Sequence, residues 1–236
     1  MTLKVAFHYL FVFLLTSIIY LIISFTNSEM MFNVIQILLY VGIFLGLYHF
    51  EIGIRKNTIK NEMKEQLSDK YFLFSFLFSG ILFLFLIVGF KSPIAYVNGS
   101  FNIGSILMYI YRNLIFAAFV EEFIFRNCYL KELSKKHSFF VSSIIVGFLW
   151  IFLHLPSYIF QNFTINDIII DLFIGTIKGI VLAYTMKLLN NVFINTLFHF
   201  NMGYTSNIGF VFLLPIIFLK LNKKVFDNKQ ITQRNI

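Results

Sequence analysis

The sequence predicts an all-α protein: a polytopic transmembrane helical bundle of about eight spans, with both termini cytoplasmic. Three observations carry that prediction. The 236 residues are 58% hydrophobic and 13% charged, with 33 phenylalanines, more apolar surface than a soluble domain of this length can bury. Apolar runs near the ~20 residues that a helix needs to cross a bilayer recur along the chain. The cations gather in short loops on one side of those runs, the asymmetry expected of a membrane protein.

The expected spans run about Val5–Thr26, Met31–Phe50, Tyr71–Phe90, Ile103–Arg126, Phe139–Phe160, Asp167–Lys187, Val192–Met202 and Asn207–Leu221. The first has no small-residue cleavage site behind it, so it reads as a span rather than a removable signal peptide. The seventh is short, and is expected either to begin earlier, around Leu188, or to enter a protein-lined cavity. Loop 51–70 carries Arg55, Lys56, Lys60, Lys64 and Lys70. Loop 127–138, with Arg126 at its edge, carries Lys131, Lys135 and Lys136. Lys187 and the basic tail fall on the same side, while the opposite loops carry only Lys91. This side is the cytoplasm. The net charge of +8 is therefore explained by topology, and no nucleic-acid partner is expected. The lone cysteine, Cys128, excludes an internal disulfide and a multi-cysteine zinc site. Gly42-x-x-x-Gly46 and Gly175-x-x-x-Gly179 are small-residue pairs that let helices approach closely. The absence of a convincing internal repeat disfavours a repeat-built transporter.

The most informative residues are the polar ones placed at membrane depth, where a carboxylate costs a few kcal/mol or more. Glu121 and Glu122 are adjacent, and Arg126 follows Glu122 by four residues. On a helix that spacing puts Glu122 and Arg126 on one face, ready to pair. Glu121 points about 100° away, toward whatever occupies the bundle centre, where a carboxylate can serve as general base. A purely structural charge cluster that holds helices together is the competing reading. His154 and His199 lie in two other spans. Counted from the cytoplasmic ends, Glu121 sits ~15 Å deep, His199 ~14 Å and His154 ~22 Å. A cluster of one carboxylate and two imidazoles is therefore feasible. Such a trio can activate a water directly or bind a divalent metal such as zinc, with Glu121, His154 and His199 as its ligands. His8 and His49 lie near span ends and read as core histidines, and His137 lies in a basic loop. H-E-x-x-H and G-x-S-x-G are both absent, so the usual zincin helix and serine elbow have no support.

In this order the motifs resemble the CAAX-processing and bacteriocin-processing (CPBP, or Abi) family of membrane proteases. Glu121-Glu122-x-x-x-Arg126 matches its E-E-x-x-x-R. Trp150-x-x-x-His154 is similar to its F-x-x-x-H, with one aromatic exchanged for another. His199 matches the histidine of the third motif, but the asparagine expected four residues later is Gly203; Asn201 stands at +2 and Asn195 one turn earlier. The resemblance spans about Ile103–Met202. It implies N-terminal helices over 1–102, a protease-like core over 103–221 and a basic cytoplasmic tail over 222–236. It also implies that Glu121 and His154 activate the attacking water, and that His199 and an asparagine, here Asn201, stabilise the oxyanion. On 3.6-residue geometry Asn201 is turned about 160° from the usual face unless the helix breaks, and Gly203 is the place for such a break.

The chemistry is coherent from the residues themselves. Hydrolysis of a peptide bond needs a base for water, an acid for the leaving amine and donors for the oxyanion. The expected protein is thus an intramembrane endopeptidase acting on a peptide or membrane-protein substrate in the lipid bilayer. The alternatives are a non-catalytic immunity or regulatory protein on the same fold, and a small proton-coupled transporter. The Phe-, Ile-, Asn- and Lys-rich composition points to a bacterial cell membrane.

Overall fold

The structure is a computed structural model that describes residues 2–26, 41–43, 45–47, 49, 58–89, 96–97 and 100–205. Most of the expected span Met31–Phe50, all of Asn207–Leu221 and the tail 222–236 lie outside the described residues. The elements in chain order are α1 (Leu3–Thr26), α2 (Thr58–Leu67), α3 (Lys70–Gly89), β1 (Tyr96–Val97), β2 (Ser100–Phe101), α4 (Ile103–Leu133), α5 (Phe139–Phe152), α6 (Leu155–Phe160), α7 (Ile165–Leu189) and α8 (Val192–Thr205). By length and composition, four helical stretches among the described residues suffice to cross a bilayer: Leu3–Ile22, Ile103–Leu133, Phe139–Phe160 and Ile165–Leu189. The fold is an all-α membrane helical fold.

Several expected boundaries move, each for a local reason. The loop 51–70 contains α2, a polar helix whose few apolar positions give no span signal. The loop 91–102 contains an antiparallel ribbon pairing Tyr96 with Phe101 and Val97 with Ser100. Helix α4 does not stop at Arg126 but continues to Leu133. Lys131 and Glu132 belong to its last turn, where Glu132 pairs with Lys135 at 2.5 Å. Helix α7 is capped by Thr164, whose hydroxyl accepts from the Asp167 amide at 3.2 Å and donates to the Asp167 carboxylate at 2.6 Å. Asp167 is thus the third helical residue, answering its cap. Helix α8 begins at Val192, not near Leu188. Asn190 adopts φ 49°, a left-handed conformation that Asn tolerates, and ends the preceding helix. Asn191 then caps the new one, its Oδ1 accepting from the amides of Phe193 (3.0 Å) and Ile194 (3.1 Å).

The chain divides into two compact units, Met1–Asn61 with Val120–Tyr184, and Glu62–Phe119 with Thr185–Ile236. In the first, α5 and α7 cross backbone to backbone. A Cβ added to Gly179 would lie 2.5 Å from the Gly147 Cα, and one added to Gly147 would lie 2.7 Å from the Thr176 carbonyl oxygen. Gly175 faces the Ile151 side chain just as tightly, so the 175/179 pair serves the packing its spacing implies. Gly179→Val must push the helices apart and is expected to destabilise the protein by about 1–3 kcal/mol. A lowered Tm in detergent checks this, and an unchanged Tm contradicts so tight a crossing. Helix α1 joins the same unit through Tyr9, whose hydroxyl donates to the Leu149 carbonyl at 3.0 Å, and through stacking of Phe13 on Phe152 and Tyr20 on Phe160. His8 is a core histidine, as expected: Tyr129 Oη donates to its Nδ1 (2.6 Å), and its Nε2 donates to the Ile43 carbonyl (3.1 Å).

In the second unit, α8 packs on α3 and on the first part of α4. Phe83, Ile106, Ala118 and Phe200 form its buried core. Gln66 of α2 ties down the start of α8: its carbonyl accepts from Asn191 Nδ2 (2.8 Å), and its side chain accepts from the Val192 amide (3.0 Å).

Candidate active site

Helix α4 is not a plain α-helix. Over Tyr111–Phe119 and again over Glu122–Tyr129 it is wound as π-helix, with i→i+5 hydrogen bonds, and α geometry returns only at Val120–Glu121 between them. Such widened turns are rare and occur frequently at functional sites. Glu121 stands at the junction.

Glu122 and Arg126 pair as their spacing implies, Oε1 to Nη1 at 3.1 Å, with both side chains 0% exposed. Arg126 therefore does not mark a loop edge. It is enclosed in the first unit with its guanidinium carbon 4.8 Å from the centre of the Trp150 ring, a cation–π contact that is strongest where water is excluded.

Glu121 faces differently. Its side chain keeps 18% of its surface exposed, and His154 keeps 34%. Glu121 Oε1 lies 3.9 Å from His154 Nε2. That is too long for a direct hydrogen bond, but a bridging water ~2.8 Å from each atom fits the gap. The other oxygen, Oε2, accepts the indole N–H of Trp150 at 2.5 Å.

His154 is aimed by a break in its own helix. Pro156 has no N–H to give to the Phe152 carbonyl, and its ring crowds that carbonyl. The chain therefore leaves α5 at Phe152 and restarts as α6 at Leu155, with Pro156 in its first turn. His154 lies between them at φ −83°, ψ −9°, the bridge region where many active-site residues sit. Its amide bonds the Ile151 carbonyl at 3.0 Å. The Trp150 carbonyl, which a regular helix would pair with that amide, instead lies 3.1 Å from His154 Nδ1. A carbonyl only accepts, so Nδ1 carries the proton and neutral His154 presents a lone pair on Nε2. Pro156→Ala lets the helix run on and should turn His154 away from Glu121. The expected result is a drop in kcat of about tenfold or more, since misplacement by an ångström is that costly, with unchanged protein level. Wild-type kcat in this variant would show that the break does not position His154.

His199 and Asn201 lie on α8, in the second unit. His199 is half-buried. Asn201 is buried, and its Nδ2 donates to Ser79 Oγ at 2.5 Å and to the Leu197 carbonyl at 3.0 Å. Both amide protons are thereby used, one in tying α8 to α3 and the other within α8 itself. Asn195 Oδ1 accepts from the Thr185 hydroxyl. The helix is unbroken through Gly203 to Thr205, so the break that would swing Asn201 to another face does not occur. Among the described residues, no three His, Cys, Asp or Glu side chains are grouped to hold a metal ion. Glu121 and His154 supply two donors where a catalytic zinc takes three protein ligands.

Trp150 is the site residue that sequence reasoning did not assign. The only signal was its place one turn before His154 as the chain's single tryptophan.

Residues 103–205 match the model of the family described as type II CAAX prenyl endopeptidase Rce1-like. The matched segment contains Glu121, Glu122, Arg126, His154, His199 and Asn201. No curated protein and no solved structure matches the chain.

Proposed function

We propose, from the match of residues 103–205 to the type II CAAX prenyl endopeptidase Rce1-like model, that the protein is an intramembrane endopeptidase in which Glu121 and His154 activate the attacking water. The observation that carries this reading is the 3.9 Å separation of Glu121 Oε1 and His154 Nε2. A water between them donates one proton to each acceptor, which turns its oxygen lone pair outward toward a substrate carbonyl. Attack forms the new C–O bond, and Glu121 takes the water proton. Collapse of the tetrahedral intermediate breaks the C–N bond as that proton passes to the leaving nitrogen. Glu122 and Arg126 hold charge balance behind the site. The motif resemblance assigns the oxyanion to His199 with an asparagine. The substrate class is a peptide or a juxtamembrane segment of a membrane protein, and the location is a bacterial cell membrane.

No step is routed through a metal, because among the described residues no three donor side chains are grouped to hold one. Chelation of the purified protein is therefore expected to leave its cleavage rate within about twofold of the untreated value. Loss of activity that zinc restores would instead make Glu121 and His154 metal ligands.

The engagement of Asn201 favours a second reading, a non-catalytic immunity or regulatory protein on the same scaffold. Complementation separates the two. In cells lacking the protein, the wild type should restore the phenotype and Glu121→Ala should not; full complementation by Glu121→Ala would favour the non-catalytic reading.

A further inference from the structure

Position 150 belongs to an aromatic residue in the motif, and here the aromatic ring has a polar task. Trp150 is buried, with 6% of its surface exposed, and it meets three polar groups of the site. Its indole N–H donates to Glu121 Oε2 at 2.5 Å. Its ring face lies 4.8 Å from the Arg126 guanidinium carbon. Its carbonyl accepts from His154 Nδ1 at 3.1 Å, and its ring meets the imidazole nearly edge-on at 5.6 Å between centroids. A buried indole N–H needs an acceptor, and the acceptor it has found is the carboxylate to which the proposed mechanism gives the water proton.

We propose that Trp150 is a positioning residue that assigns the two oxygens of Glu121: the indole holds Oε2, and Oε1 is thereby turned to His154 to receive the proton of the bridging water. This inference rests on the reading of Glu121 as the base. The Arg126 contact fixes the plane of the indole, so the buried ion pair behind the site sets the direction of the N–H. Phenylalanine, which the resembling motif carries at this position, fills similar space without a donor. In this chain, therefore, an indole N–H contributes to the orientation of Glu121.

Two measurements test it. Trp150 is the single tryptophan, so the one indole N–H resonance of ¹⁵N-labelled full-length protein in detergent micelles reports on this contact alone. Glu121→Gln should move that resonance upfield, because a charged acceptor is replaced by a neutral one; an unmoved resonance overturns the contact. The second replaces Trp150 with β-(3-benzothienyl)alanine, which keeps the ring shape and lacks the N–H. The probe is a fluorogenic peptide built on a cleavage site mapped from membrane peptides that wild type produces and Glu121→Ala does not. The donor-less variant should lower kcat by about 10- to 100-fold, as loss of a charge-assisted hydrogen bond does, with KM within about twofold. Trp150→Phe should behave alike. Wild-type kcat in the benzothienyl protein beside an inactive Glu121→Ala overturns the role of Trp150 and leaves Glu121 as the base. Cleavage retained in Glu121→Ala overturns the reading on which both rest.

Discussion

Glu121→Ala is expected to lower the turnover of peptide cleavage by about 10²- to 10⁴-fold, the usual contribution of a positioned general base, while the protein remains in the membrane at wild-type level. The two halves of that expectation have different physical grounds. Turnover falls because the water loses its proton acceptor, and His154 alone, 3.9 Å from the vacated position, cannot orient it. The level is maintained because Glu121 is partly exposed and is not the carboxylate that pairs with Arg126 at 3.1 Å, although its loss leaves the Trp150 N–H without this acceptor, which Glu121→Gln avoids. His154→Ala should give a loss in the same range. The double variant should lose little more than either single one, since two groups that act on one water are not additive. Steady-state kinetics in detergent or liposomes checks the series. Losses that multiply in the double variant would mean that the two residues act on separate steps.

Arg126→Ala is expected to fail in a different manner, first by losing the folded protein. Arg126 and Glu122 are both 0% exposed and pair at 3.1 Å. Removing one partner leaves an uncompensated buried charge, which costs about 3–5 kcal/mol, a large part of the stability of an ordinary domain. Glu122→Ala should be comparably harmful. Glu122→Leu combined with Arg126→Leu removes both charges while keeping bulk, and should recover much of the loss, because a hydrophobic replacement of a buried pair is often neutral. Thermal unfolding in detergent decides this. Equal Tm values for Arg126→Ala and wild type would contradict the burial of the pair.

The parts legible in the sequence are those written in spacing or in simple hydropathy. Phe139–Phe160 was visible as a span to its last residue, and the four-residue step from Glu122 to Arg126 foretold their ion pair. The nearness of Glu121 to His154, 3.9 Å between Oε1 and Nε2, was legible from the motif order and from rough depth. Other features leave no such trace. Helix α2 is short and polar, so it resembles a charged loop until Gln66 is seen to hold the start of α8. The π winding of α4 is hidden because nearly every neighbour of Glu121 is apolar, and a helix apolar all round has no periodicity to measure. Position alone makes Asn201 a candidate oxyanion donor. Its contact with Ser79, 122 residues away in sequence, cannot be inferred from local pattern. In the sequence Trp150 is one aromatic standing for another, because its N–H matters only once Glu121 is beside it.

The central claim is that Glu121 and His154 together activate a water for peptide hydrolysis. It is tested most directly by quantitative comparison of membrane peptides from cells carrying wild type, Glu121→Gln or His154→Ala at equal protein level. One set of cleavage products is expected in wild type and absent from both variants. Identical products in all three would contradict it.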